Sequence, residues 1–176
     1  MSFCYRDLIS LFHQTFFDTY NTRLELGDDE PIYLPADERG GHHRVVFAHG
    51  YFASALHEIA HWLLAGEARR TQVDYGYWYH PDGRDAQAQQ QFEAVEIKPQ
   101  AIEWALSLSC GFPFNVSCDN LNGTVEPDRL AFQARVREQA LAYLDQSFPP
   151  RAEAFMAALR QHYGRPVLTP DNFDYQ

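Results

Sequence analysis

The chain is poor in cysteine. Cys4, Cys110 and Cys118 are odd in number, widely spaced and form no C-x-x-C. This argues against a disulfide framework or a cysteine-built zinc site and leaves the three as small core residues or incidental thiols. Positive charge is also scarce. Fourteen Lys+Arg stand against 24 Asp+Glu, a formal charge of -10, which argues against nucleic acid, whose backbone is held by clustered cations. Such a surface suits a cationic partner better. No run approaches the ~18 apolar residues of a membrane span, and Met1–Asp7 lacks the basic segment and apolar run of a signal peptide. A soluble protein of the reducing cytoplasm, with no membrane partner, is expected. No repeat, low-complexity stretch or Pro/Gly/Ser-rich linker divides the sequence, so residues 1–176 are expected to form one domain.

What is present is a large apolar share, 45%, with 15% aromatic residues, enough to build a real core and excluding a disordered chain. Leu8, Ile9, Leu11, Phe12, Phe16 and Phe17 recur at near-helical spacing, predicting a helix that ends near Asn21. Leu26–Pro31 reads as a turn and Pro31–Pro35 as a short extended piece. After a loop holding Gly40, Gly41, His42 and His43, Val45–Ala48 reads as a strand. Ser54–Ala65 predicts a buried helix stopped by Gly66. Val73–Tyr79 alternates polar or small residues with aromatics and reads as another strand, followed by the turn His80-Pro81-Asp82-Gly83. A helical pattern runs from Asp85 to about Leu108 with Pro99 inside it, then a long loop from Gly111 to Pro127. Two further helices are expected, about Asp128–Asp145 with Pro127 in its first turn, and Arg151–Tyr163 closed by Gly164. The sum is an α+β fold: a single, mostly helical domain with a few short strands.

The chemistry-bearing signal is His57-Glu58-Ile59-Ala60-His61, an H-E-x-x-H within the predicted buried helix. Residues four apart share a helical face, with Cβ atoms ~5–6 Å from one another, so two imidazoles there can meet one metal ion. Burying two titratable rings on a Leu/Ala-rich helix needs such a reason. A third ligand should be a carboxylate from another element. The helix bearing Gln89, Phe92, Glu93, Glu96, Gln100 and Glu103 offers several on one face. Pro99 predicts a kink that frees the Val95 carbonyl and redirects Glu96. Glu96 is preferred to Glu93 because Val95 and Ile97 beside it look interior, and a carboxylate bordered by buried residues wants a cation. The expected site is thus the H-E-x-x-H helix facing a second, kinked helix.

Two histidines and a carboxylate suit two chemistries. With zinc the pattern is that of a metallopeptidase, Glu58 being general base for a metal-bound water. With ferrous iron it is a facial triad with positions open for oxygen and substrate. Spacing does not separate them. A rival H-x-D signal, His80-Pro81-Asp82 with His162, would need a jelly-roll barrel that the helical flanks do not support. His49, in His49-Gly50-Tyr51-Phe52, is a candidate to line the site or to support a ligand. Asp74, Asp82, Arg84, Asp85 and Asp119 are candidates for its mouth.

Longer blocks carry a resemblance. Gly27-Asp28-Asp29-Glu30-Pro31-Ile32-Tyr33-Leu34-Pro35-Ala36-Asp37, Val46-Phe47-Ala48-His49-Gly50 with His57–Trp62, Tyr77-Trp78-Tyr79 with Pro81–Gln87, and Phe92-Glu93 with Val95–Ala101 belong to it. So do Pro113–Leu121 and Glu126–Arg129. Together they resemble the bacterial elongation factor P hydroxylases, from about position 21 to 135. The resemblance implies a monooxygenase-type enzyme that hydroxylates the β-lysylated lysine of elongation factor P. It implies a metal on two histidines and a glutamate, carried here onto His57, His61 and Glu96, with Fe(II) and dioxygen in use and Glu58 as a proton-handling group. The β-lysyl unit brings two amines, so Asp74, Asp82 and Asp85 are candidates to hold them, and Tyr75, Tyr77, Trp78 and Tyr79 to pack on the chain or its cations. The alternatives are the zinc peptidase and a non-catalytic module whose metal only staples the fold, which would show four protein ligands.

Overall fold

The computed structural model describes residues 2–37, 41–75 and 82–174. In chain order the elements are α1 (Tyr5–Tyr20), β1 (Thr22–Leu26), β2 (Ile32–Leu34), β3 (His43–Phe47), α2 (Phe52–Leu64), a 3-10 turn (Arg69–Thr71), α3 (Ala86–Cys110), α4 (Arg129–Gln146), α5 (Pro150–Tyr163) and a 3-10 turn (Pro170–Phe173). The result is α+β, mostly helical, with one three-stranded sheet among the described residues.

α1 buries Leu8, Phe12 and Phe16, one residue per turn on one face. It stops at Asn21, whose left-handed backbone returns its N–H to Phe17 O. The sheet order is β1-β3-β2, with β1 parallel and β2 antiparallel to β3. The sequence reading passes over β1. Its partner lies some twenty residues on, with Leu24 opposite Val45, and parallel pairing leaves no hairpin signal in the chain. Of the expected strand Val73–Tyr79, Asp74 makes an isolated antiparallel bridge to Tyr33, while Tyr77, Trp78 and Tyr79 lie outside the described residues.

α2 packs on β3, α3 and α5 and buries Ala55, Leu56, Ile59, Ala60 and Leu63 almost completely. α3 begins where the Asp85 carboxylate accepts from the Ala88 N–H and ends at Gly111, left-handed at φ 77. It runs through Pro99 as one element, and from Ala101 to Leu106 every residue is buried, because α2, α4 and α5 all pack on it. α4 corrects an expected detail: Pro127 lies before the helix, and Asp128 caps it through the Ala131 N–H. α5 starts on Pro150 and closes at Gly164, φ 65. Cys110 and Cys118 are buried free thiols. One connected core runs from Leu8 on α1 to Phe173 at the C-terminal turn, and no helix of the described residues is long and apolar enough to cross a membrane.

Candidate metal centre

The facing sides of α2 and α3 bring the ionisable residues together. His57 and His61, one turn apart on α2, have Nε2 atoms 3.2 Å apart and ring centroids 4.7 Å apart. From α3, Glu96 brings Oε1 to 3.1 Å from His61 Nε2. One ligand atom from each of the three lies within 4.8 Å of the others. Glu96 is only 1% exposed. Two imidazole nitrogens and a buried carboxylate oxygen that converge in this way call for a cation between them. Ligands about 2.0–2.2 Å from one ion, and ninety degrees or a little more apart, stand about 3.0–3.5 Å from each other. The two close pairs have that spacing, so the donor set fits a divalent metal.

Two of the three candidate ligands, His57 and Glu96, are aimed by a neighbour. His57 Nδ1 lies 2.6 Å from Glu103 Oε1, which holds the proton on that nitrogen and turns Nε2 toward His61 and Glu96. Burial alone would disfavour the His57 imidazolium. The Glu103 charge and hydrogen bond, with Glu96 and Glu58 behind them, outweigh burial and push its pKa up to about 10. Gln100 Nε2 donates to Glu96 Oε2 at 3.1 Å and leaves Oε1 facing His61. Gln100 is itself fixed on the loop after α3, donating to Ser117 O at 2.7 Å and accepting from Ser117 N–H at 2.9 Å. Glu58 sits between the histidines in sequence. Its burial raises the carboxyl pKa, an effect His57 and His61 only partly offset.

The preference for Glu96 rests on a premise the structure overturns. Val95 is 47% exposed, because adjacent helical residues point about 100° apart. Glu96 is buried instead with Phe92, Pro99, Gln100 and Glu103, its neighbours one and two turns away. The other candidate, Glu93, is taken by α4: Arg135 Nη2 donates to its Oε1 at 2.8 Å.

A family model described as Elongation factor P hydroxylase matches residues 11–173. The chain belongs to the elongation factor P hydroxylase family. A relative from Haemophilus influenzae named "Elongation factor P lysine hydroxylase" is 50% identical over 157 residues, covering 89% of this chain and 88% of the relative.

In this elongation factor P hydroxylase family member the remaining candidates fall into two groups. Asp74 borders a cavity of about 30 Å³, room for about two waters, that Glu58 and His61 also line. The other described candidates are not among its lining residues. Asp82 is exposed and accepts from the Leu121 N–H at 3.0 Å, while Asp85 caps α3. Asp119 faces Arg129 at 3.6 Å. His49 is exposed on the left-handed turn after β3, φ 63, with its ring 6.2 Å from Tyr51. Of the rival H-x-D set, His80 lies outside the described residues and His162 is exposed on α5.

Arg84 is 1% exposed. It donates from Nε to Gln89 Oε1 at 2.7 Å and from Nη2 to Asp119 O at 2.6 Å, and lies 3.8 Å over the Phe92 ring. It bolts the loop after α3 back onto the start of that helix. Arg84→Ala is therefore expected to cost about 3 kcal/mol of stability through lost charge-assisted hydrogen bonds, read from denaturant melts, while metal uptake by the folded protein persists.

Sequence reasoning missed two residues, Glu103 and Gln100, as partners of the ligands. Both lie on the face it had marked, at i+7 and i+4 from Glu96, and that periodicity was the available signal.

Proposed function

We propose that the chain hydroxylates a lysine of elongation factor P, in its β-lysylated form and in the cytoplasm, with a metal ion held by His57, His61 and Glu96. The observation that carries this is the convergence of two imidazoles and one buried carboxylate in a chain whose relative is named for lysine hydroxylation. Fe(II) suits a two-histidine, one-carboxylate donor set and, when bound, supplies activation of dioxygen, the co-substrate, at positions the protein leaves open.

The chain's own groups do the rest. Glu103 accepts from the His57 Nδ1–H, so that Nε2 is the nitrogen left to meet a metal once its own proton is released. Gln100 orients Glu96 through Oε2. Glu58, its carboxyl pKa raised by burial, is placed to hold and release a proton beside the cavity. The zinc peptidase alternative also has the H-E-x-x-H and Glu58, but the family and the relative are hydroxylases. A module whose metal merely staples the fold would need a fourth protein ligand.

The test is iron reconstitution of the purified full chain without oxygen, then exposure to air, a reductant and β-lysylated elongation factor P. Intact-mass measurement is expected to show the gain of one oxygen atom on elongation factor P. Cleavage of that protein would favour the peptidase, and an unchanged mass would remove the function.

A further inference from the structure

The contacts that identify a protein substrate need more surface than the candidate metal centre offers. The cavity beside His61 measures about 30 Å³, whereas each partner in a specific protein complex covers roughly 800 Å². A larger concavity, of about 550 Å³, runs between the C-terminal end of α3, α4 and the segment after α5. It lies close to the centre by way of α3. Glu103 and Trp104 are consecutive, and consecutive helical side chains point about 100° apart. The first meets His57, and the second lines the groove. Phe112, Phe114 and Leu168 extend this apolar lining, with the Phe114 ring stacked on Trp104 at 5.2 Å.

A cation is built into that lining. Arg165 follows Gly164, the left-handed residue that closes α5, and its backbone N–H donates to Arg160 O at 2.9 Å. Its guanidinium rests against Gly111, so closely that a Cβ there would collide with Nε, Cζ and Nη2. Gly111 ends α3, and the partial negative charge of a helix C-terminus favours a cation beside it. The side chain is thus positioned, yet among the described residues its guanidinium makes no hydrogen bond or ion pair. Asp174, also on the groove, is taken by Arg137 at 2.9 Å. Gln133 of α4 adds an uncharged amide to the lining.

We propose that this groove docks a segment of the protein substrate in which a carboxylate stands beside an apolar side chain, and that Arg165 receives the carboxylate. The inference deepens the proposed hydroxylase function and rests on it for the identity of the partner. One guanidinium matches one carboxylate, whereas a phosphate, at about −1.5 to −2 charges, asks for more cation than this lining holds. The groove is also open: Pro113, Arg165 and Pro166 on it are exposed. Small-molecule pockets enclose about 70–90% of their ligand, so an open floor suits a segment carried by a larger body. Its position suits the reaction as well. Phe112 packs on Phe52 with ring centroids 4.8 Å apart, and Phe52 precedes His57 by about 7.5 Å along α2. His57 is the most open of the three candidate ligands, its side chain 30% exposed against 12% for His61 and 2% for Glu96. A partner seated in the groove therefore lies beside the side from which the centre is approached.

The experiment adds unlabelled β-lysylated elongation factor P to the isotope-labelled full chain and follows the side-chain NMR signals of Trp104 and Arg165. Both should shift in the wild type. Arg165→Gln should weaken binding by about tenfold or more, the scale of one charge-assisted hydrogen bond, and Arg165→Lys, which keeps the charge, by less. Gln133→Glu sets a negative charge on the groove from α4, leaves Arg165 in place, and should weaken binding as Arg165→Gln does. In turnover, Arg165→Gln and Gln133→Glu should raise KM by about tenfold with kcat held. Signals that stay still, or a fall in kcat at unchanged KM, overturn the proposal. So does phenylacetate that shifts the two signals where elongation factor P does not, since the groove then belongs to a small acid. Hydroxylation indifferent to both substitutions removes the docking site and keeps the hydroxylase. Elongation factor P that binds through Arg165 yet stays unmodified removes the hydroxylase and keeps the docking site.

Discussion

Glu96→Ala and His61→Ala are each expected to weaken metal binding by more than about 100-fold and to abolish hydroxylation, while Glu58→Gln keeps its metal. The scale follows from comparison: loss of a group that merely supports a ligand costs roughly 10–100-fold in affinity, so loss of a ligand itself should cost more. Glu96 has no ready substitute. Glu93, one turn away, is bound to Arg135 on α4, and Glu103 is engaged at His57 Nδ1. Removing the Glu96 carboxylate also leaves Gln100 without one acceptor, though its two bonds to Ser117 hold it in place, so the fold should persist. Competition with a chromophoric chelator measures affinity, and intact mass of elongation factor P measures turnover. Undiminished metal binding in Glu96→Ala would hand the ligand role to another carboxylate and dismantle the centre drawn here.

The elements that carry this centre were largely readable from spacing. His57 and His61 at i, i+4 within a Leu/Ala-rich run mark α2, and the acidic face from Glu93 to Glu103 marks α3. What spacing does not encode is which carboxylate meets which partner across two helices. Glu93, Glu96 and Glu103 are equivalent on a helical wheel. They separate only because α4 offers Arg135 to the first, His61 approaches the second and His57 Nδ1 reaches the third. The same limit explains Val95, read as interior from its chemistry and found on the outside of α3. β1 was missed for a related reason, since Thr22–Leu26 becomes a strand only through pairing with β3. Asp82 and Asp85 accept from backbone N–H groups, turn and cap contacts that the sequence does not distinguish from those of loop acids beside a site. Arg84 departs most from expectation. Arginine is rarely buried, and the carbonyl of Asp119, the Gln89 amide and the Phe92 ring help to make room for it.

Glu103→Gln is expected to lower metal affinity by roughly 10–100-fold, the range for partners of metal-bound histidines, with the fold intact. Glu103 is 9% exposed and its carboxylate contact with His57 is 2.6 Å, the length of a charge-assisted bond. A glutamine of the same shape still accepts from the Nδ1–H, so ring orientation survives. What disappears is the negative charge that makes Nε2 more basic and offsets the positive charge a metal brings into a buried site. Glu103→Ala removes orientation as well and should fall further, freeing His57 to adopt the other tautomer. The ordering wild type, then Gln, then Ala separates electrostatic support from simple packing, because a packing role would make the isosteric glutamine nearly silent. Chelator competition gives the affinities, and the spectrum of a cobalt-substituted protein reports whether the ligand field shifts with charge alone. An affinity for Glu103→Gln equal to that of the wild type would reduce Glu103 to a residue that fills space between α2 and α3.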